Sequence, residues 1–131
     1  MKEIGIGVIG TAFMGKAHSI AYASAGTAFG GQLRPRLEMV CDQDPHIAET
    51  KRAEMGFARC TADYMDVVND PKVDLISICV PNSVHKEIAI AALAAGKHVW
   101  CEKPMSTNLS DSQAMVDAAA ASDQKTIVGY N

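Results

Sequence analysis

A chain of 131 residues with 48% hydrophobic content has the size and composition of one globular domain with a genuine core. Its formal net charge of −3, with no basic cluster, argues against nucleic acid or an anionic membrane surface as the main partner. No apolar run approaches the roughly 18 residues of a membrane span, and Cys41, Cys60, Cys79 and Cys101 lack CxxC spacing, so we expect a cytoplasmic protein whose thiols are small buried hydrophobes.

The first stretch, Ile4 to His18, reads as a buried strand, a glycine turn and a helix, the arrangement that seats a dinucleotide pyrophosphate. Gly5, Gly7 and Gly10 spell G-x-G-x-x-G letter for letter, yet Ile6, Val8 and Ile9 interleave them as a strand does, and a phosphate turn must follow its strand. The frame that meets this condition is Gly10-Thr11-Ala12-Phe13-Met14-Gly15, with Gly10 at the sharp turn, Ala12 at the close approach and Gly15 between helix and strand. A helix starting near Phe13 then aims its free N–H groups at the phosphates. Gly26 is expected to stop that helix, and residues 27–36, glycine-rich and ending near Pro35, to form a surface loop. Leu37 to Cys41 is a strand with Asp42 at its carboxyl end, where a dinucleotide fold places an acid on the adenosine ribose hydroxyls. Asp42 follows Gly10 by 32 positions where about 20 is usual, an excess assigned to the Gly26 to Gly31 loop. The Asp42 carboxylate would repel a 2′-phosphate and Gln43 brings no cation, so NAD is expected over NADP.

Pro45 fits the first turn of a helix running to about Met55, and Phe57 to Cys60 a short edge strand. Thr61 is expected to cap a helix holding Tyr64, Met65 and Val68, which Asp70-Pro71 breaks. Asp74 to Val80 is nearly continuous apolar sequence, the mark of a strand covered on both faces. Pro81 ends it, and an alanine-rich helix follows from about Val84 to Ala95 with Gly96 as its C′ residue. Lys97 to Cys101 is a strand, Glu102-Lys103-Pro104 the turn after it, Asn108 with Asp111 an N-cap for a helix to Ala121, and Thr126 to Gly129 the last strand. This alternation predicts an α/β fold: a Rossmann-type, doubly wound, parallel six-stranded sheet in the order 3-2-1-4-5-6 with helices on both faces. The ligand crevice then lies at the carboxyl ends of strands one and four, where Gly10 to Gly15, Asp42, Pro81 to His85 and Glu102 to Pro104 all fall. His18, His46 and His98 read as structural, no histidine pair has metal-ligand spacing, and no metal site is expected.

Val80-Pro81-Asn82-Ser83-Val84-His85, followed by Ala94-Ala95-Gly96-Lys97-His98-Val99-Trp100-Cys101-Glu102-Lys103-Pro104, closely resembles the Gfo/Idh/MocA family, NAD(P)-dependent oxidoreductases that include inositol dehydrogenases and glucose-fructose oxidoreductase. The resemblance extends from the glycine turn to Gly129-Tyr130-Asn131. It implies that Glu102 accepts hydrogen bonds from the nicotinamide ribose and that Lys103 sits beside nicotinamide and substrate, assisting proton transfer. It also implies a cis Pro104 that turns Lys103 into the crevice, cofactor contacts at Pro81, Asn82 and His85, and Asn131 close to the nicotinamide. Ala12 departs from the commoner middle glycine, and its methyl is expected to press on the pyrophosphate. Family members continue into a second α/β domain that carries the substrate pocket. By resemblance this chain is the cofactor half of a homo-oligomeric dehydrogenase of a sugar, inositol or related polyol. Two plainer readings stay open: Lys103 as a surface lysine paired with Glu102, and the whole chain as a non-catalytic dinucleotide-binding or sensing module.

Overall fold

Aliphatic runs of the chain become strands, and the segments with helical spacing between them cross from each strand to the next. The computed structural model describes residues 1–130, so Asn131 lies outside the described residues. In chain order the elements are β1 (Lys2–Ile9), α1 (Phe13–Phe29), β2 (Leu33–Cys41), α2 (Pro45–Met55), β3 (Arg59–Thr61) and α3 (Tyr64–Asn69). Then come β4 (Leu75–Ile78), a single 3-10 turn (Asn82–Val84), α4 (His85–Ala94), β5 (His98–Glu102), α5 (Leu109–Ala120) and β6 (Thr126–Gly129). The six strands pair in parallel in the order β3-β2-β1-β4-β5-β6. This is the doubly wound order read from the sequence.

Each face of the sheet has its own core. Helix α1 packs beside α2 on one face, over Ile6, Val8, Val40 and Phe57. Helices α3, α4 and α5 pack against one another on the opposite face, where Ile9, Ile76, Ile78, Ile88, Ala92, Val99 and Met115 form the larger cluster. Ile9 pairs with Ile78, so β1 and β4 end level and their chains part at the same point. Gly10 and Cys79 leave the sheet there, and a Cβ on Gly10 would lie 2.5 Å from the Cys79 carbonyl oxygen.

Gly5 and Gly7 are strand residues held by packing. A Cβ on Gly5 would fall 1.7 Å from the Lys72 carbonyl oxygen, and one on Gly7 2.4 Å from Val67 Cγ1. Lys97 is also structural: it is buried, and its Nζ donates to the carbonyls of Asp70 (2.6 Å) and Val73 (2.7 Å), closing the connection from α3 to β4.

Three expectations are corrected. Gly26 does not stop α1, which runs on to Phe29 and ends at Gly30, whose φ of 57° is left-handed and whose N–H bonds the Gly26 carbonyl. A lone glycine costs a helix only about 1 kcal/mol relative to alanine, which 17 residues of helix absorb. Residues 27–36 are therefore mostly helix and strand. Strand β2 begins at Leu33 and includes Pro35, tolerated because β3 pairs only with Met39 to Cys41 and leaves the early part of β2 an open edge. The long spacing from Gly10 to Asp42 thus comes from a longer helix and strand, not from a loop. Finally, Thr61 belongs to β3, and the cap of α3 is Asp63, whose carboxylate accepts from the Met65 N–H at 2.9 Å.

The first correction has a direct test. Nothing lies within 4 Å of a Cβ built on Gly26, so Gly26→Ala should stabilise the protein by about 0.5–1 kcal/mol in urea denaturation. A destabilisation would mean that Gly26 ends the helix after all.

Candidate functional site

The close approach of α1 to β1 builds the first part of the site. Gly10 turns the chain at a φ of 100°, and its N–H bonds the Cys41 carbonyl at 2.9 Å. A Cβ on Gly15 would lie 1.9 Å from the Gly10 carbonyl oxygen, so the first turn of α1 packs directly on the turn before it. Ala12 is the N-cap residue and supplies no side-chain cap, which leaves the first N–H groups of α1 unpartnered by any capping side chain. A bare helix start with its dipole aimed outward is suited to an anion. Ala12 has a φ of −71°, an ordinary value for a residue with a Cβ, and is exposed. Its methyl therefore costs the turn nothing.

A groove of about 610 Å³ runs over the carboxyl ends of β1, β2 and β4, from Gly10, Thr11 and Ala12 past Asp42 and Gln43 to Pro81, Ser83 and Val84. Its charged lining residues are Asp42, Asp63 and Glu87. Thr11 is buried and its hydroxyl donates to Asp42 Oδ2, while Asp42 Oδ1 accepts from the Asp44 N–H at 3.0 Å. The Asp42 carboxylate is thus held from both sides at the groove wall. Thr11 acts through it; its hydroxyl is engaged there and not with the space above α1.

On the other side of the α1 start a second hollow, of about 520 Å³, is lined by Met14, His18, Tyr22, Trp100, Glu102 and Lys103 among others. Glu102 ends β5 and is 7% exposed; Lys103 is exposed, and the Lys103–Pro104 peptide is cis, as the resemblance implies. Glu102 does not pair with Lys103. Its Oε1 accepts from His18 Nε2 at 2.7 Å, and His18 Nδ1 lies 2.9 Å from the Ser77 hydroxyl, which in turn meets the Tyr22 hydroxyl at 2.7 Å. Trp100 stands edge-on to His18 with ring centroids 4.8 Å apart.

The remaining expected residues divide. Phe13 (82% exposed) and Met14 stand at the helix start, open to solvent; Pro81 lines the first groove, and Asn82, half-buried, begins the 3-10 turn after it. His85 is 1% exposed, with Nδ1 3.0 Å from the Pro104 carbonyl and Nε2 2.8 Å from the Val80 carbonyl. Its ring is enclosed between the end of β4 and the turn after β5, where a single N–H serves one of the two carbonyls. Sequence reasoning missed Ser77, Tyr22 and the His18–Glu102 contact. His18 and Tyr22 are four residues apart on one helical face, but no local signal marks Ser77 or Glu102 as their partners.

Among the described residues no three His, Cys, Asp or Glu side chains converge, and no helix is long and apolar enough to cross a membrane. A third hollow, near Arg52, Arg59 and Asp70, is lined by charges already paired with one another.

Residues 4–130 match the family described as "Oxidoreductase family, NAD-binding Rossmann fold" (Gfo/Idh/MocA). Levoglucosan dehydrogenase from Pseudarthrobacter phenanthrenivorans is 37% identical over 132 residues, and myo-inositol 2-dehydrogenase from Thermotoga maritima 29% identical over 126. These alignments cover 100% and 96% of this chain but 34% and 36% of the relatives, so the chain spans about a third of their length. Among solved structures, levoglucosan dehydrogenase in complex with NADH and levoglucosan superposes with a TM-score of 0.94 at 36% identity, covering 97% of this chain and 35% of that one. An NAD binding oxidoreductase from Klebsiella pneumoniae gives 0.93 at 42% identity, covering 97% and 34%. The fold, the uncapped helix start and the acid after β2 define a dinucleotide-binding Rossmann domain of an oxidoreductase. The chain belongs to the Gfo/Idh/MocA family, as its NAD-binding domain, related to sugar and inositol dehydrogenases.

Burial pushes the thiols of Cys41, Cys79 and Cys101 up to about 12, Cys79 further helped by the Glu102 charge. At pH 8 the native protein should alkylate at these three positions at least ~100-fold more slowly than an unperturbed thiol of pKa about 8.5. Site-resolved mass spectrometry checks this, and fast labelling of Cys79 beside the groove would contradict it.

Proposed function

We propose that this chain holds NAD(H) across the carboxyl edge of its sheet and serves as one wall of a hydride-transfer site for a sugar, inositol or related polyol. One observation carries the reading: two fixed carboxylates, Asp42 after β2 and Glu102 at the end of β5, flank the uncapped start of α1. A dinucleotide has two riboses with a pyrophosphate between them, and in a doubly wound sheet it lies across the switch point. The first N–H groups of α1 hold the pyrophosphate, Asp42 the adenosine ribose and Glu102 the nicotinamide ribose. When bound, the nicotinamide supplies a hydride acceptor or donor at one ring carbon. The substrate class rests on the named activities of the relatives.

Lys103 is the chain's candidate for the proton side of the reaction. It stands exposed beside Glu102 at the mouth of the second hollow, where a substrate hydroxyl held against the nicotinamide would meet its amine. In this reading Pro81 and Asn82 border the cofactor between the two riboses; the Asn131 contact that the family resemblance implies lies outside the described residues. Lys103 is exposed, and among the described residues no side chain covers it to press a substrate down. The 131 residues are therefore expected to bind NADH without oxidising a polyol at a useful rate.

The groove's charges also favour NAD over NADP. Asp42, Asp63 and Glu87 line it and no lysine or arginine does, among the described residues. A 2′-phosphate about 4 Å from one such carboxylate meets a repulsion on the order of 4 kcal/mol at an effective dielectric of 20. Calorimetric titration is expected to give NADH at least ~10-fold tighter binding than NADPH. Asp42→Ala should weaken NADH about 10-fold, the worth of charge-assisted ribose bonds, and narrow that gap. Equal affinity of the unsubstituted chain for both nucleotides would overturn the preference.

A further inference from the structure

We propose that His18 is a positioning residue for the nicotinamide half of the site: it fixes Glu102 as an oriented acceptor through a hydrogen-bonded chain running Tyr22, Ser77, His18, Glu102. The inference rests on the reading above that Glu102 meets the nicotinamide ribose.

The Glu102 carboxylate sets the first hydrogen of the chain, and one tautomer of His18 then sets the rest. A carboxylate can only accept, so His18 Nε2 carries the hydrogen of the 2.7 Å contact to Glu102 Oε1. With Nε2 the only ring nitrogen that carries a hydrogen, Nδ1 accepts from the Ser77 hydroxyl at 2.9 Å, and Ser77 accepts from the Tyr22 hydroxyl at 2.7 Å. One neutral tautomer thus satisfies all four groups, with each donor facing an acceptor. Glu102 itself lines the open hollow that His18, Tyr22, Trp100 and Lys103 share, so the chain of bonds ends at a carboxylate that borders open space.

Two further features favour a positioning role over plain core packing. His18 is 6% exposed and Ser77 fully buried, and burying four polar groups in series is no more stabilising than an apolar set of the same shape. The chain also ends at a ligand-facing carboxylate and not at a backbone group. Sheet register adds to the fit: Ser77 pairs with Trp100 across β4 and β5, so the hydroxyl under His18 and the indole against it are set by one strand pair. His18 reaches them because Gly15, one turn earlier, lets α1 lie close on the sheet.

The experiment titrates the chain, His18→Leu and His18→Gln with NADH and, separately, with ADP, which lacks the nicotinamide riboside. Asp42 and the helix start are intact in all three. We expect His18→Leu to lose at least about tenfold in NADH affinity, about 1.4 kcal/mol, with ADP affinity changed less than twofold. Glutamine offers an N–H to Glu102 and an oxygen to Ser77, so His18→Gln should recover most of the loss. In the unsubstituted chain, 15N NMR of the His18 ring should show the Nε2–H tautomer. Unchanged NADH affinity in His18→Leu, parallel loss of ADP, or an Nδ1–H ring would overturn the inference while leaving the cofactor reading in place. Absence of NADH binding by the unsubstituted chain would overturn the cofactor reading, and this inference with it.

Discussion

The contact on which the rest depends is the seating of α1 on β1, with Gly15 against the carbonyl of Gly10. Any side chain at Gly15 would lift the helix off the sheet. The close seat has three consequences at once. It points the uncapped N–H groups of α1 over the point where β1 and β4 part. It brings Thr11 within reach of Asp42 just after β2, and it carries His18 down to Ser77 on β4 and Glu102 on β5. The turn and the helix together thereby orient both carboxylates, one on each side of the helix's positive end, and the separation of the two carboxylates is fixed by backbone packing and not by flexible side chains.

The two carboxylates are held by different means, and the difference suits their places. Asp42 is partly open, tied by one hydroxyl and one backbone N–H near the protein surface. Glu102 is almost enclosed, and its donor is a histidine that is itself anchored further down. In a medium of lower dielectric each such hydrogen bond is stronger and an unmatched group costs more, so the inner carboxylate needs the longer chain of partners. His85 sits at a matching place under the main chain, with one ring nitrogen beside the Val80 carbonyl after β4 and the other beside the Pro104 carbonyl.

The topology was legible because strands buried on both faces write themselves as apolar runs, and glycine, proline and asparagine mark where they stop. The demotion of Gly5 and Gly7 also followed from the interleaved Ile6, Val8 and Ile9, and the close contacts at both glycines are of the kind a central strand makes. Local signals failed where tertiary packing outvotes them. Gly26 and Pro35 read as a helix stop and a loop, but one helical glycine is cheap and an open strand edge accepts a proline. The His18 network was not legible at all: its members come from α1, β4 and β5, and nothing local to Ser77 tells that its hydroxyl faces a histidine 59 positions earlier. For the same reason the burial of the His85 ring was not legible, since a motif position does not say on which side of a turn a ring will lie.

The most direct measurement is an amide 1H–15N NMR titration of the chain with NADH. Shifts are expected at residues 10–16, at 42–43, at 79–84 and at 101–103, all on the carboxyl edge of the sheet, with little change at the opposite edge around Lys72 and Lys97. Perturbation concentrated near Arg52, Arg59 and Asp70 instead, or no perturbation at millimolar NADH, would contradict a dinucleotide laid across the start of α1.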